Sequence, residues 1–553
     1  MPAKENRIDA YFYVLVLLAV SIPLSKFTMS VSQIFLVIIW LTDGIHSIKF
    51  RTFYADSSFF SGFVRSSFAI VRFLAENFKR KLLLFLNNKV ALVIASLFLL
   101  HIIGLVHTED FNYAFKDLRT KLPIFLLPLI MSSMPSISRK KSEILLIFFI
   151  LAVFSGTMFG LDAYLRKEFS DIREISVFIS SVRFSLSIVF SIFLLLFFLF
   201  RGHQLKWWLK IILALTIVWF VAFLMILESA IGLISLVIIM SGIALMKAIH
   251  IKQLRLRYLL LFLFAALPSL TVLYISDIVK DFSLAEPVNI SQLETHSALG
   301  NFYRHDTIHF GIEDGKYVGL YMAEEELAAA WNSRSEYDFL GYDDAGQLIQ
   351  YTIIRYFTSI GLRKDASGVA QLSESDIRHI ERGIANINYV KKPSVRTRVS
   401  KILMGYQQFA DLNDPNGSSV MQRIEYTKAS IILINENFWT GVGTGDLPQK
   451  FAETYERMQT PLKMKWRWRS HNQYLSIFIA FGVFGFIWFL FTLFYPLIAF
   501  RKYRNYHYLV FFALMLLSMI TEDTIESQVG VTLFAFFNAF FLFAWHENSE
   551  KTQ

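Results

Sequence analysis

The chain is built around uninterrupted apolar runs of about 15–22 residues, long enough to cross a hydrocarbon core of roughly 30 Å as helices. Within lipid no water can satisfy a backbone amide. Such runs must therefore be helices, whose hydrogen bonds close inside the segment. The composition fits: of 553 residues, 55% are hydrophobic and only 18% charged, less charge than a soluble domain of this length carries. The runs predict twelve spans, near 10–25, 28–42, 90–106, 122–134, 144–161, 184–200, 208–227, 231–246, 258–276, 472–500, 508–521 and 529–545. The tenth is long and holds Gly482 and Gly485, so it is expected to kink or to begin as an interfacial helix. The N-terminal stretch MPAKENRIDA leads straight into the first run without a small-residue cleavage site, and it reads as a retained helix.

The net charge of +10 could suggest a nucleic-acid partner, but most of the basic residues sit in short loops between apolar runs. One set of loops carries Lys49, Arg51, Arg65, Arg72, Lys79, Arg80 and Lys81, then Arg139, Lys140 and Lys141, then Arg201, Lys206 and Lys210, then Lys247, Lys252, Arg255 and Arg257, and finally Arg501, Lys502 and Arg504. The alternate loops are mixed or acidic, with Glu109, Asp110, Asp162, Glu522, Asp523 and Glu526. The positive-inside rule puts the basic set in the cytoplasm. Both termini are then cytoplasmic and the stretch 277–471 is extracytoplasmic. The expected fold is an all-α polytopic membrane protein in three parts: a bundle of about nine helices (1–276), a mostly helical loop domain (277–471) and three closing helices (472–553). There is no cysteine, which rules out disulfides, thiolate metal sites and cysteine nucleophiles.

The loop is polar enough to fold in water. EEELAAAWN (324–332) combines strong helix formers with an apolar stripe. Ser373 can cap a helix that ends near Gly383, and RIEYTKASIILINEN (423–437) has helical spacing. TGVGTGD (440–446) reads as a turn. It lacks the Lys-Ser/Thr of a nucleotide loop.

Several polar residues sit where chemistry could be done. His471, at the outer start of the tenth span, lies where helix amides favour anions and disfavour imidazolium, as a general base requires. Taken alone, a histidine at a span end is more often structural. Arg183 opens the sixth span on the outer side and Arg423 opens a loop helix. Guanidinium groups grip phosphate by paired hydrogen bonds, although a loop arginine is commonly only a solvated charge. Glu228, in the short turn between spans seven and eight, is either a site residue that hydrogen-bonds substrate or orients an arginine, or a hydrated interfacial carboxylate. Glu522, Asp523 and Glu526 read as a solvated acidic loop, Trp466 and Trp468 as an interfacial aromatic belt, and Asp343-Asp344 as turn chemistry more than a cation site.

An Arg-led helix (Arg423), a Gly-x-Gly turn, His471-Asn472-x-Tyr474-Leu and a Gly-x-x-Gly in the next span follow one another over roughly 60 residues. This ordered set resembles the O-antigen ligase and O-antigen polymerase superfamily. The twelve-span layout with one large outer loop is also similar. The resemblance implies a GT-C-like bundle in a bacterial inner membrane. Its activity would be transfer of a glycan from an undecaprenyl-pyrophosphate carrier to an acceptor hydroxyl at the periplasmic face, with inversion and with neither metal nor other cofactor. The acceptor would be a lipid A–core-like glycolipid in a ligase, a second repeat unit in a polymerase, or a protein in related enzymes. On this reading His471 and Arg423 are catalytic, and Arg183, Arg423 and Arg469 hold the pyrophosphate. Asn472, Glu228 and Tyr474 support them. Relatives often place arginine where this chain has Ala230, which puts one phosphate contact in doubt. A secondary transporter and an assembly platform are the competing classes. The transporter is disfavoured because no repeated halves are found.

Overall fold

The computed structural model describes residues 2–44, 59–166, 172–201, 205–283, 288–388 and 395–545. Every predicted span falls on a helix: α1 (Pro2–Leu24), α2 (Lys26–Thr42), then, after the intervening α3 (Phe59–Leu86), α4 (Lys89–Ile103), α5 (Phe111–Ser133), α6 (Arg139–Arg166), α7 (Ser181–Arg201), α8 (Trp207–Ile226), α9 (Ala230–His250) and α10 (Leu254–Ser283). The loop region supplies α11 (Glu324–Asn332), α12 (Ile349–Ile360), α13 (Ala366–Ala370), α14 (Glu374–Glu381), α15 (Val395–Leu412), α16 (Ser419–Glu436) and α17 (Leu447–Arg457). The chain closes with α18 (Gln473–Ala499), α19 (Tyr506–Thr521) and α20 (Gln528–Ala539). Among the described residues, seven helices are long and apolar enough to cross a membrane: α6 to α10, α18, and α4 with the turn that follows it.

The bundle is organised around α20, every residue of which from Val529 to Ala539 is buried. Helices α1, α5 and α19 pack on it. The phenyl rings of Phe149 and Phe190 each stand edge-on to Phe537 with centroids 4.9 Å apart. Aromatic edges on aromatic faces give such a core directional packing. Helix α10 is at the opposite extreme. None of its most apolar 18-residue stretch is buried in the protein, so its side chains face outward at the bundle's edge.

The tenth span breaks as expected. Gly482 takes φ 63° and ψ −169° inside α18. The TGVGTGD turn fills the gap: Val442 and Gly443 donate to the carbonyls of Ile479 and Ala480, and Val483 donates to Phe438 O. The turn's last residue, Asp446, accepts from the backbone amides of Glu109 and Asp110. A broken helix at membrane depth is tolerated only when protein re-satisfies its backbone, and this turn does so.

The loop region has two differently supported parts. Residues 288–388 carry their own core of Trp331, Tyr356, Phe357, Ile353 and Ile380. Tyr426, Leu433, Phe451 and Tyr455 of α16 and α17 instead belong to the core of the bundle. The helices predicted at 324–332 and after Ser373 are present, the second closed by a capping box between Ser373 and Asp376. Two features were not foreseen. Two short antiparallel ribbons pair Arg304–Asp306 with Gly319–Met322 and Ile312–Glu313 with Lys316–Tyr317. The basic stretch read as loop between the second and third spans contains the helix α3, whose Lys81 is buried against Asp43 at 3.0 Å.

Candidate functional site

Ser418 caps α16 by accepting from Met421 N, which sets Arg423 and Tyr426 one turn apart on one side of the helix. Asn472 caps α18, its side chain accepting from Tyr474 N and Leu475 N. His471 precedes this cap in a left-handed conformation, φ 49°. Such a conformation is uncommon outside glycine and persists only where the surroundings impose it. Here the imidazole stacks on the Tyr426 ring, with centroids 5.4 Å apart and planes at 24°. Tyr426 is fixed in turn by donating to Trp466 O at 2.8 Å.

The residue that gathers the site is Glu522, in the turn between α19 and α20. One carboxylate oxygen accepts from Arg423 Nη2 at 2.9 Å. The other lies 3.5 Å from Arg183 Nη1 and 3.6 Å from His471 Nδ1, the latter beyond hydrogen-bond range. Arg183 also donates to Asp523 O at 3.2 Å. The carboxylate is the floor of the site, with its side chain 10% exposed, whereas Arg423 is 35% and His471 33% exposed. Burial pushes the Glu522 carboxyl up, but the neighbouring imidazole and the charges of Arg183 and Arg423 outweigh it. The net result lies below the usual carboxylate range. Arg423 Nε and His471 Nδ1 are buried without a hydrogen-bond partner among the described residues.

The acidic turn expected to be solvated is therefore folded inward: Glu522 and Asp523 are each 7% exposed. Asp523 accepts from Ser476 Oγ at 2.7 Å. Glu526 joins a second cluster with Lys121 (2.8 Å) and Arg469 (3.2 Å), while Asp117 contacts Lys121 at 2.7 Å. Burial disfavours the Glu526 anion, yet Lys121 and Arg469 hold its carboxyl below the usual range. The sequence reading missed Glu522 because carboxylates between two spans look the same solvated or paired. The one available signal was the cost of leaving them there unpaired.

The other candidates separate by environment. Arg183, Arg423 and His471 converge on Glu522. Arg469 is turned to Glu526 in the adjoining cluster. The amides at the start of α18 that were left for an anion are taken by Asn472, so Asn472 is a cap. Tyr474 Oη donates to Leu516 O and ties α18 to α19. Glu228, 4% exposed, meets Lys401 of α15 at 3.1 Å. The following Ser229 caps α9 at the position before Ala230. Asp343 accepts from Gln347 N and Thr352 Oγ1, as a turn residue does.

No curated protein matches this chain. Residues 383–490 match the family model described as O-antigen ligase. The matched stretch holds Arg423, the Gly441–Gly443 turn, His471 and most of α18, so the resemblance read from the sequence and the family match fall on the same residues.

Proposed function

We propose that the chain transfers a glycan from an undecaprenyl-pyrophosphate carrier to an acceptor hydroxyl at the periplasmic face of the inner membrane, as a ligase does. The observation that carries this reading is the convergence of Arg183, Arg423 and His471, from three distant parts of the sequence, on Glu522.

With its Nδ1 proton toward Glu522, His471 keeps a lone pair on Nε2, and the carboxylate stabilises the imidazolium that forms when that atom takes a proton. The acceptor oxygen attacks the anomeric carbon, its proton passes to Nε2, and the bond from that carbon to the pyrophosphate oxygen breaks. The lipid diphosphate departs with the bonding pair. In-line displacement inverts the centre. Arg183 and Arg423 meet the leaving charge, exchanging Glu522 for phosphate oxygens.

The test is transfer by purified His471→Ala and Arg423→Ala proteins that insert normally. Loss of a general base costs roughly 10²–10⁴-fold in rate. Transfer at the wild-type rate by both variants defeats the proposal. Glycan retained on the carrier lipid marks a lost ligase, whereas single repeat units on the acceptor mark a lost polymerase.

A further inference from the structure

The proton transfer drawn above needs His471 and Glu522 held at one separation, yet they come from segments far apart in the sequence. The stretches 469–476 and 520–526 lie against each other. Arg469 Nη1 donates to Glu526 Oε2 at 3.2 Å, Asn472 Nδ2 to Ile520 O at 2.9 Å, and Ser476 Oγ to Asp523 Oδ1 at 2.7 Å. These bonds bracket His471 on both sides, and His471 makes none of them.

Gln473 adds two more, and it is the position left open in the His471-Asn472-x-Tyr474 pattern. Its Oε1 accepts from Ile525 N at 2.8 Å and its Nε2 donates to Glu526 Oε1 at 3.0 Å. Both ends of one amide are thus spent on one turn. The residue is 0% exposed, so it meets no substrate directly. A buried amide matched at both ends tolerates little displacement, because moving the turn leaves polar groups unpaired. Glu526 is fixed in addition from α5. Lys121 lies 2.8 Å from its Oε2, and Asp117, one turn earlier on α5, holds Lys121 at 2.7 Å. The turn is therefore tied to α5 through Glu526 and to the start of α18 through Gln473.

We propose that Gln473 is a positioning residue for the transfer: it sets the 522–526 turn against the start of α18 so that Glu522 faces His471 Nδ1. This rests on the proposed reaction and adds to it the residue that fixes its geometry. Misplacing reacting groups by about 1 Å costs roughly 10²-fold in rate. The arginines that take the diphosphate exchange Glu522 for it, so substrate binding does not depend on this alignment. Loss of Gln473 therefore falls on kcat and spares KM.

Initial rates of transfer would be measured on the full chain in lipid nanodiscs, per inserted molecule. Gln473→Met, similar in length but without polar ends, should lower kcat by roughly tenfold to a hundredfold and leave KM for donor and acceptor unchanged. Gln473→Glu should lower kcat as well, since it sets a second carboxylate against Glu526. Combining Gln473→Glu with Glu526→Gln exchanges the two groups. The carboxylate at 473 then accepts from Ile525 N and from the amide at 526, whose oxygen still accepts from Lys121 and Arg469. This exchanged pair should recover most of the kcat lost in Gln473→Glu, an outcome that loss of folding alone does not produce. A wild-type kcat in Gln473→Met, a loss carried by KM, or no recovery in the exchanged pair overturns the positioning role. His471→Ala, assayed alongside, separates the two claims. Wild-type transfer by His471→Ala overturns the reaction and the positioning role with it, whereas lost transfer there beside an unaffected Gln473→Met overturns the positioning role alone.

Discussion

At the scale of single residues, Glu522 decides most. It is a partly desolvated anion facing two guanidinium groups, and hydrogen bonds to charged groups contribute about 1.5–3 kcal/mol. Glu522→Gln should therefore reduce transfer by roughly tenfold to a hundredfold, measured as initial rate on protein that still inserts. The pH dependence has a definite sign. The folded-state pKa of Glu522 is depressed, so its stabilisation is complete above the unfolded value and is lost as pH falls through the folded one. The difference in melting temperature between wild type and Glu522→Gln should be steady at neutral pH and shrink below about pH 4. A gap that widens in acid contradicts the pairing. His471, Arg423 and Arg183 were legible in the sequence because their chemistry is distinctive at the outer ends of helices. Glu522 was not, since its partner Arg423 lies 99 residues away and no local pattern reports so distant a contact.

At the scale of elements, the legible parts were those with a long period or a cap. The helices under the twelve apolar runs, the 324–332 helix and the Ser373 cap all follow from local chemistry. The ribbons escaped because strands of two to four residues carry no readable alternation. The break in α18 was legible as two glycines, but its purpose is visible only in three dimensions. A Cβ on Gly482 would stand 2.2 Å from Trp439 O, at a φ that L-residues rarely adopt. Gly482→Ala should lower the melting temperature and detach the Gly441–Gly443 turn, exposing it to limited proteolysis. An unchanged melting curve counts against the role given to that turn. In the 288–388 part, Lys364 is 3% exposed and donates to Leu320 O at 2.9 Å, and burial pulls its amine down to about 7. The unfolded chain then holds one more proton than the folded one from about pH 7 to the normal lysine value. Stability should rise with pH across that window, by about 1.4 kcal/mol per unit. Lys364→Met should flatten that rise when unfolding is followed by urea titration at several pH values. A slope equal to wild type refutes it.

At the scale of the whole molecule, the expected orientation combines two readings, the number of spans and the charge on the loops. Five of the twelve predicted spans do not meet both length and hydropathy for a span. Four are short apolar helices, and the fifth, α5, carries the buried Asp117–Lys121 pair. Helix α20 shows why such helices can still belong in the bundle. It is wrapped by other helices and continues as a π-turn at Phe540–Ala544, so its length against lipid is not what holds it. Parity is therefore not secured by helix length alone, and the orientation rests on charge. Lys140 and Lys252 sit at the ends assigned to the cytoplasm and Leu340 in the large loop, all three exposed. Since the chain has no cysteine, single substitutions report without background. Leu340→Cys should react with a membrane-impermeant maleimide in intact spheroplasts, and Lys140→Cys and Lys252→Cys only after permeabilisation. The reverse pattern would put the Glu522 site in the cytoplasm, away from a lipid diphosphate presented outside, and the proposed transfer would have no substrate there. Labelling of Leu340→Cys and Lys252→Cys from the same side would instead show that α10 does not cross, leaving its exposed apolar length to lie along the membrane surface.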